Sequence, residues 1–234
     1  AAHGPEHPSV GTSLNNLAGV LEKQGRYAES EAMHRKALAI RIRTLGESHP
    51  RVARTLNNLG KVLRAQGHYA EAAELSRRSI DIKIKKLGRN HEDVASALSD
   101  LAGAQMALGD YEGAAEHHRE ALDIYRATIG VDHPEVADTY IGLARIELKA
   151  GRYPAAIEYA QRSRELRAKA GLNPSNVADA DLVLARALWQ AAPTQGRDRE
   201  RAVALVESAQ EVFVEHGPAK RAERCERWLD EHRK

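Results

Sequence analysis

Four histidines recur every 42 residues, and histidine is among the side chains that most often bind zinc in proteins. They are His7, His49, His91 and His133. The spacing puts each one in a different repeat, at the start of a helix, so the four imidazoles cannot converge on one ion. We therefore predict loop and helix-capping roles for them and no metal site. His117 and His118 are adjacent, so on a helix they point about 100° apart and make a poor ligand pair.

Catalytic motifs are absent from the sequence. There is no nucleophile elbow, no glycine-rich phosphate loop and no paired-histidine zinc motif of the metalloprotease type. Cys225 is the only cysteine, which excludes an intramolecular disulfide and a thiolate-rich metal site. We predict that the chain is not an enzyme and needs no cofactor.

The charge balance limits the class of partner. Lys and Arg total 35 against 33 Asp and Glu, a net charge of +2, which is far from that of a dedicated nucleic-acid-binding protein. No apolar stretch is long enough for a membrane span, and no signal peptide is visible. These features predict a location in the reducing cytoplasm. Because the chain starts at Ala1 without methionine, we expect a piece of a longer repeat array.

A Gly-x-Tyr triplet recurs four times with the same period of 42 residues, which is the signature of a stacked repeat protein. Its tyrosines are Tyr27, Tyr69, Tyr111 and Tyr153. Large apolar residues recur in phase with the triplets and are expected to fill the gaps between helices: Leu17, Leu59, Leu101 and Leu143. Each tyrosine is expected to plug the wedge between two helices, so Tyr69→Ala should cost about 3 to 5 kcal/mol.

Two amphipathic helices are predicted in each repeat. Leu14, Leu17, Ala18 and Leu21 form an i, i+3, i+4, i+7 stripe, and a second stripe follows the triplet. Gly46, Gly88 and Gly130 are expected to end the second helices as left-handed residues. Ser48, Asn90 and Asp132 are expected to cap the next first helices. Arg41 and Lys83, near the ends of second helices, are expected to be solvated.

These recurring residues, from Leu14-Asn15-Asn16-Leu17-Ala18 to His49-Pro50, resemble the 42-residue tetratricopeptide repeat of kinesin light chains and many bacterial proteins. The resemblance implies an all-α, right-handed superhelical solenoid of antiparallel helix pairs, and it favours a bacterial origin. The predicted division is a remnant of a preceding inter-repeat loop at 1–6, repeats at 7–48, 49–90, 91–132 and 133–173, a degenerate repeat at 174–216, and a capping helix at 217–234.

The resemblance also implies that the first helices line a concave groove that binds extended peptides or helices. The predicted groove residues are Asn15, Arg54, Asn57, Asn58, Lys61, Arg64, Asp100, Asp138, Arg145 and Lys149. Mid-helix asparagines need a partner, either the main chain of a bound peptide or a neighbouring helix, and the sequence leaves both open. The positions that grip a terminal carboxylate in chaperone-binding relatives hold no cation here, which argues against that ligand.

The sequence thus predicts a non-enzymatic scaffold for protein–protein interactions, which could be the regulatory arm of a larger signalling protein. The groove residues lean positive, so the expected partner is a protein or peptide with acidic and apolar residues. Self-assembly into a homo-oligomer through the amino-terminal edge is the alternative. RNA binding by a helical repeat is the least favoured, because the net charge is small.

Overall fold

The computed structural model describes residues 7–171, 173–217 and 219–232, and these residues form α-helices, two short 3-10 turns and no β-strand. The predicted loop remnant at 1–6 lies outside the described residues. The helices are α1 Pro8–Lys23, α2 Tyr27–Leu45, α3 Pro50–Gln66, α4 Tyr69–Leu87, α5 Glu92–Leu108, α6 Tyr111–Thr128, α7 Ala137–Lys149, α8 Tyr153–Lys169, α9 Pro174–Gln190, α10 Arg199–His216 and α11 Ala219–His232. The all-α prediction is confirmed.

The chain divides into two compact bodies. The N-terminal body runs to Thr128 and holds α1 to α6, and the C-terminal body begins at Ile129 and holds α7 to α11. Consecutive helices pack against each other in both bodies, in the order expected for stacked helix pairs. The predicted repeat boundaries remain predictions.

The Gly-x-Tyr triplets form the turns between paired helices, as predicted, and the tyrosine is the first residue of α2, α4, α6 and α8. The tyrosine rings are less buried than expected, since Tyr27 and Tyr111 are 37% and 38% exposed. Tyr69 is only partly buried. The wedge role stays a prediction, and the cost of Tyr69→Ala should fall below the range for a fully buried aromatic residue.

Glycine ends α2 and α4 in a conformation that other residues avoid. Gly46 has φ 81° and ψ 157°, and Gly88 has φ 85° and ψ 161°. The positive φ agrees with the prediction, but ψ is extended and not left-handed helical. This region of backbone conformation is open essentially only to glycine.

Histidine caps the first helices, in place of the predicted Ser48, Asn90 and Asp132. Nδ1 of His49 accepts the backbone N–H of Arg51 at 3.1 Å, and His7, His91 and His133 make the same contact. Nδ1 is as many bonds from the backbone as the side-chain oxygen of asparagine, so it reaches the same amide. Asn173 makes the equivalent contact at the start of α9, at 2.9 Å.

A buried cation joins a second helix to the following first helix at three junctions, α2–α3, α4–α5 and α8–α9, which overturns the expectation that Arg41 and Lys83 are solvated. Arg41 is fully buried, and its Nη1 donates to the Arg51 carbonyl at 3.1 Å and to Thr55 Oγ1 at 2.5 Å. Lys83 Nζ donates to the Asp93 carbonyl at 2.9 Å. In the C-terminal body, Nη1 of Arg167 donates to the Asn176 carbonyl at 2.5 Å. The contact recurs in repeat phase and ties consecutive helix pairs together.

The predicted apolar core positions are buried in three of the four cases. Leu59, Leu101 and Leu143 are at most 2% exposed, whereas Leu17 is 49% exposed. The second helix of the preceding pair packs against α3 and α5, but no described helix takes that place beside α1. The prediction for Leu17 is therefore wrong in the described part of the chain.

Helix α11 packs its apolar side onto the C-terminal body. Cys225 and Leu229 are buried on that side of the helix. Trp228 meets Trp189 edge-on, with ring centroids 5.3 Å apart, and stacks on His232 at 4.3 Å. Burial raises the pKa of the Cys225 thiol, which disfavours the reactive thiolate form.

The His49 cap can be tested by substitution. We expect His49→Ala to lower the free energy of unfolding by about 1 kcal/mol, because the N–H of Arg51 loses its acceptor. His49→Asp should restore the loss, since its oxygen reaches the same amide. Chemical denaturation of both variants measures the difference, and His68→Ala is the control, because His68 makes no side-chain capping bond. Equal losses in both alanine variants would contradict the capping role.

His34 should make stability depend on pH. It is fully buried, neither ring nitrogen has a partner, and burial, with the Arg41 charge, lowers its pKa to about 4. The unfolded imidazole binds a proton near pH 6.5, so stability should fall as the pH drops from about 6.5 to 4. The loss attributable to His34 is roughly 3 kcal/mol at the acid end.

Denaturation of wild type and His34→Ala across this pH range measures that contribution. The difference between the two stabilities should shrink on acidification. A constant difference between wild type and His34→Ala would refute the shifted pKa.

Candidate functional site

Seven of the ten predicted groove residues lie on the first helices of the N-terminal body, α1, α3 and α5. We call this surface the α1–α3–α5 face; its predicted residues are Asn15, Arg54, Asn57, Asn58, Lys61, Arg64 and Asp100. Asp100 is its centre, because Oδ2 accepts from Asn57 Nδ2 at 2.8 Å and lies 3.2 Å from Lys61 Nζ. Arg54 is exposed and has no carboxylate partner among the described residues.

The asparagine amides bond between neighbouring helices. Asn57 is buried and donates to Asp100 on the next first helix, so its amide is held firmly. Asn58 Nδ2 lies 3.5 Å from Asn15 Oδ1, at the long end of the hydrogen-bond range. Both asparagines therefore bond to a neighbouring helix, which is the second of the two alternatives that the sequence left open. Only Asn58 is both partly exposed and weakly bonded.

An open cavity of about 480 Å³ lies between α1 and α3. Its lining residues are Gly19, Glu22, Lys23, Tyr27, Lys61, Arg64 and Ala65. Gly19 faces open space, because a Cβ added there would meet no heavy atom within 4 Å. The Arg64 guanidinium extends from α3 to α5, with Nη1 3.4 Å from the Cβ position of Gly103. The cavity thus combines a missing side chain with charged walls.

The charges around this cavity are mixed and lean positive. Burial raises the pKa of Glu22, and Lys61 opposes that shift. Three cationic side chains, Lys23, Lys61 and Arg64, act on Glu22, against one further acid, Asp100. An acidic ligand group would therefore meet a favourable field, and its approach would also stabilise the cations.

The remaining predicted groove residues, Asp138, Arg145 and Lys149, belong to the C-terminal body. Asp138 Oδ1 accepts from Nη2 of the buried Arg167 at 2.7 Å. Arg145 lines a cavity of about 210 Å³ on α7, α9 and α11, and Lys149 is exposed.

Sequence reasoning missed the other residues of that cavity. Arg186 and Asp179 line it, and they follow Arg145 and Asp138 by 41 residues. The repeat phase, extended into the degenerate repeat, could have found both residues. Arg221 and Arg224 of α11 also line it.

Two kinds of site are not found in the part of the chain that the structure describes. No three His, Cys, Asp or Glu side chains are grouped so that they could hold a metal ion. No helix there has the length and hydropathy needed to span a membrane.

The stacked helix pairs define an α-helical repeat protein, and comparison with known families gives the class. The tetratricopeptide-repeat model matches residues 9–85 and 93–169. The chain belongs to the tetratricopeptide-repeat family. No curated protein sequence matches it.

Solved structures of similar fold include kinesin-light-chain-like proteins, which confirms the predicted resemblance. BtubC (BKLC) from P. vanneervenii superposes with a TM-score of 0.70 at 19% identity, covering 89% of this chain and 81% of that one. A putative kinesin light chain from Podosopora anserina, with nearly identical repeats, gives a TM-score of 0.65 at 26% identity, covering 89% and 97%. The apo form of RapI gives 0.65 at 11% identity, covering 94% and 58%.

Proposed function

We propose that this protein is a non-enzymatic interaction scaffold whose α1–α3–α5 face binds an extended or helical segment of a partner protein. Tetratricopeptide-repeat proteins are generally scaffolds for protein–protein interactions. The observation that carries the proposal to this face is the open cavity over Gly19. Its volume of about 480 Å³ suits one or two side chains of a bound segment.

The chemistry of the face favours a partner with acidic and apolar residues. Lys61 and Arg64 border the cavity, and their side chains can pair with carboxylates of the partner. Tyr27 and Ala65 in the cavity lining offer apolar contact area. Asn58 can exchange its long bond to Asn15 for a main-chain group of the partner.

The wider setting is part of the same proposal. We place the scaffold in the reducing cytoplasm, where the buried thiol of Cys225 would stay free. A role as the regulatory arm of a larger signalling protein, and a bacterial origin, stay predictions of the sequence. The complete reading frame would test both.

Filling the Gly19 cavity tests the proposal. We expect Gly19→Phe to abolish binding of peptides that wild type selects from a random library, because the ring would occupy the cavity. Gly19→Ala is the matched control: it should keep binding and raise the free energy of unfolding by up to about 1 kcal/mol, since alanine favours helices more than glycine does. Fluorescence anisotropy of labelled peptides measures binding.

The selected peptides should be rich in acidic and apolar residues, and Lys61→Glu should weaken their binding. Because the new carboxylate would lie beside Asp100, its melting temperature should also fall, so binding is compared at a temperature at which all variants are folded. Arg77→Glu is the charge-reversal control, because Arg77 lies on α4 and pairs with Glu74. A library that yields no enriched peptide, or peptides that bind Gly19→Phe as tightly as wild type, would remove the α1–α3–α5 face from the proposal.

Self-association is the second candidate, and one observation favours it. Leu17 and Val20 are 49% and 52% exposed, whereas the residues in the same repeat positions, Leu59 and Val62, are at most 1% exposed. A second copy of the chain could cover this part of α1 by helix packing of the kind that covers α3. The contact would bury two large apolar side chains.

Light scattering over a range of concentrations tests this second candidate. The apparent mass of wild type should rise with concentration, and Leu17→Lys with Val20→Lys should keep the chain monomeric. Leu87→Lys is the control, because Leu87 is a comparably exposed apolar residue on α4. A wild-type chain that is monomeric at every concentration would exclude self-association.

A further inference from the structure

Two cavities in the C-terminal body share one basic wall. They measure about 240 and 210 Å³, and both are lined by Leu182, Arg186 and Arg224. The first also touches Val206, Cys225, Arg227, Trp228 and Glu231, and the second Arg145, Asp179, Val183 and Arg221. We call the two together the α9–α11 basic pocket.

The charges of this pocket are unbalanced. Five arginines line it, against the two carboxylates of Asp179 and Glu231. Asp179 is already engaged, since its Oδ1 accepts from Arg221 Nη1 at 2.6 Å. Among the described residues, neither Arg186 nor Arg224 has a carboxylate within salt-bridge distance. The excess positive charge is therefore concentrated between α9 and α11.

The excess positive charge of the pocket is energetically unfavourable, because it is partly buried. Partial burial lowers the pKa of the Arg186 guanidinium, and the like charge of Arg224 lowers it further. Most surface arginines are fully hydrated and show no such effect, because water screens their charges. An anion held between the two guanidinium groups would relieve both the desolvation and the repulsion.

The wall beside the arginines is apolar and rigid. Leu182, Val206 and Trp228 form part of the first cavity. Trp228 is fixed by its stacking on His232 and by the edge of Trp189. A ligand in this pocket would therefore need an apolar group next to its anionic group.

The pocket also differs from the α1–α3–α5 face at equivalent repeat positions. Leu182 and Val183 follow the phase of Asn57 and Asn58, and Arg186 follows that of Lys61. Where the first face offers amides and a lysine, the pocket offers aliphatic side chains and an arginine fork. Arginine pairs with planar or tetrahedral oxyanions through two parallel bonds, which lysine does not.

We propose that the α9–α11 basic pocket is a second binding site, which takes an oxyanion-bearing side chain of a polypeptide, a glutamate or a phosphorylated serine, beside an apolar side chain. It goes beyond the proposed function, because the pocket belongs to the C-terminal body and shares no residue with the α1–α3–α5 face. The site stands whether or not that face binds a peptide.

Three capped, fluorescently labelled peptides test the site on the full chain, each with one leucine beside two residues that are glutamate, phosphoserine or glutamine. We expect the glutamate and phosphoserine peptides to bind about tenfold or more tightly than the glutamine peptide, because charge-assisted bonds to arginine are strong. Added salt should lower the affinity of the glutamate and phosphoserine peptides but not that of the glutamine peptide. Tighter binding of phosphoserine would assign the pocket to phosphorylated partners, and equal binding to carboxylates.

Arg186→Gln with Arg224→Gln should lose this preference while melting at or above the wild-type temperature, because the change removes like-charge repulsion. Arg162→Gln, on the exposed side of α8, should bind like wild type. All binding is measured in the Gly19→Phe background, in which the α1–α3–α5 face is blocked, so that the remaining binding reports on this pocket alone. Equal affinity for the glutamate and glutamine peptides, or undiminished binding by the double variant, would overturn the proposal.

Discussion

The whole stack depends on how closely two paired helices can approach. Ala18, Ala102 and Ala144 recur in phase at the crossing of each pair and are fully buried. Gly60 holds the same position in the second pair, where an added Cβ would lie 3.4 Å from the Ala72 carbonyl oxygen. Ser30 Oγ uses this short distance to donate to the Ala18 carbonyl at 2.8 Å. A larger residue at these positions would separate the helices and expose the leucines beside them.

Because the paired helices are this close, the layer of apolar side chains between them is thin. Contacts between successive pairs therefore contribute much of the stability. The buried Arg41 and Lys83 belong to those contacts, and they satisfy carbonyls at the start of the next helix. Burying a cation without a carboxylate is expensive, and Arg41 leaves Nε and Nη2 without partners. The recurrence of the contact in repeat phase indicates that it fixes the position of one pair on the next, a gain in specificity at some cost in stability.

Sequence reasoning found the helices and their turns because the 42-residue period makes each position visible several times. It failed where a residue's environment depends on the neighbouring pair. Arg41 has the appearance of a solvated helix end until the next helix covers it, and Leu17 has the appearance of a core residue until that cover is missing. The α1–α3–α5 face could be predicted from phase alone. The α9–α11 basic pocket could not be predicted in this way. Five extra residues between α9 and α10 break the 42-residue period there. The position of α11 against α9 follows from packing and not from the period.

Each helix pair that begins with a histidine cap requires one particular tautomer of the capping imidazole. A ring nitrogen accepts an amide N–H only if it carries no proton itself, so His7, His49, His91 and His133 must all hold their single proton on Nε2. One tautomer is thereby selected at four helix starts, by the backbone and not by any ligand.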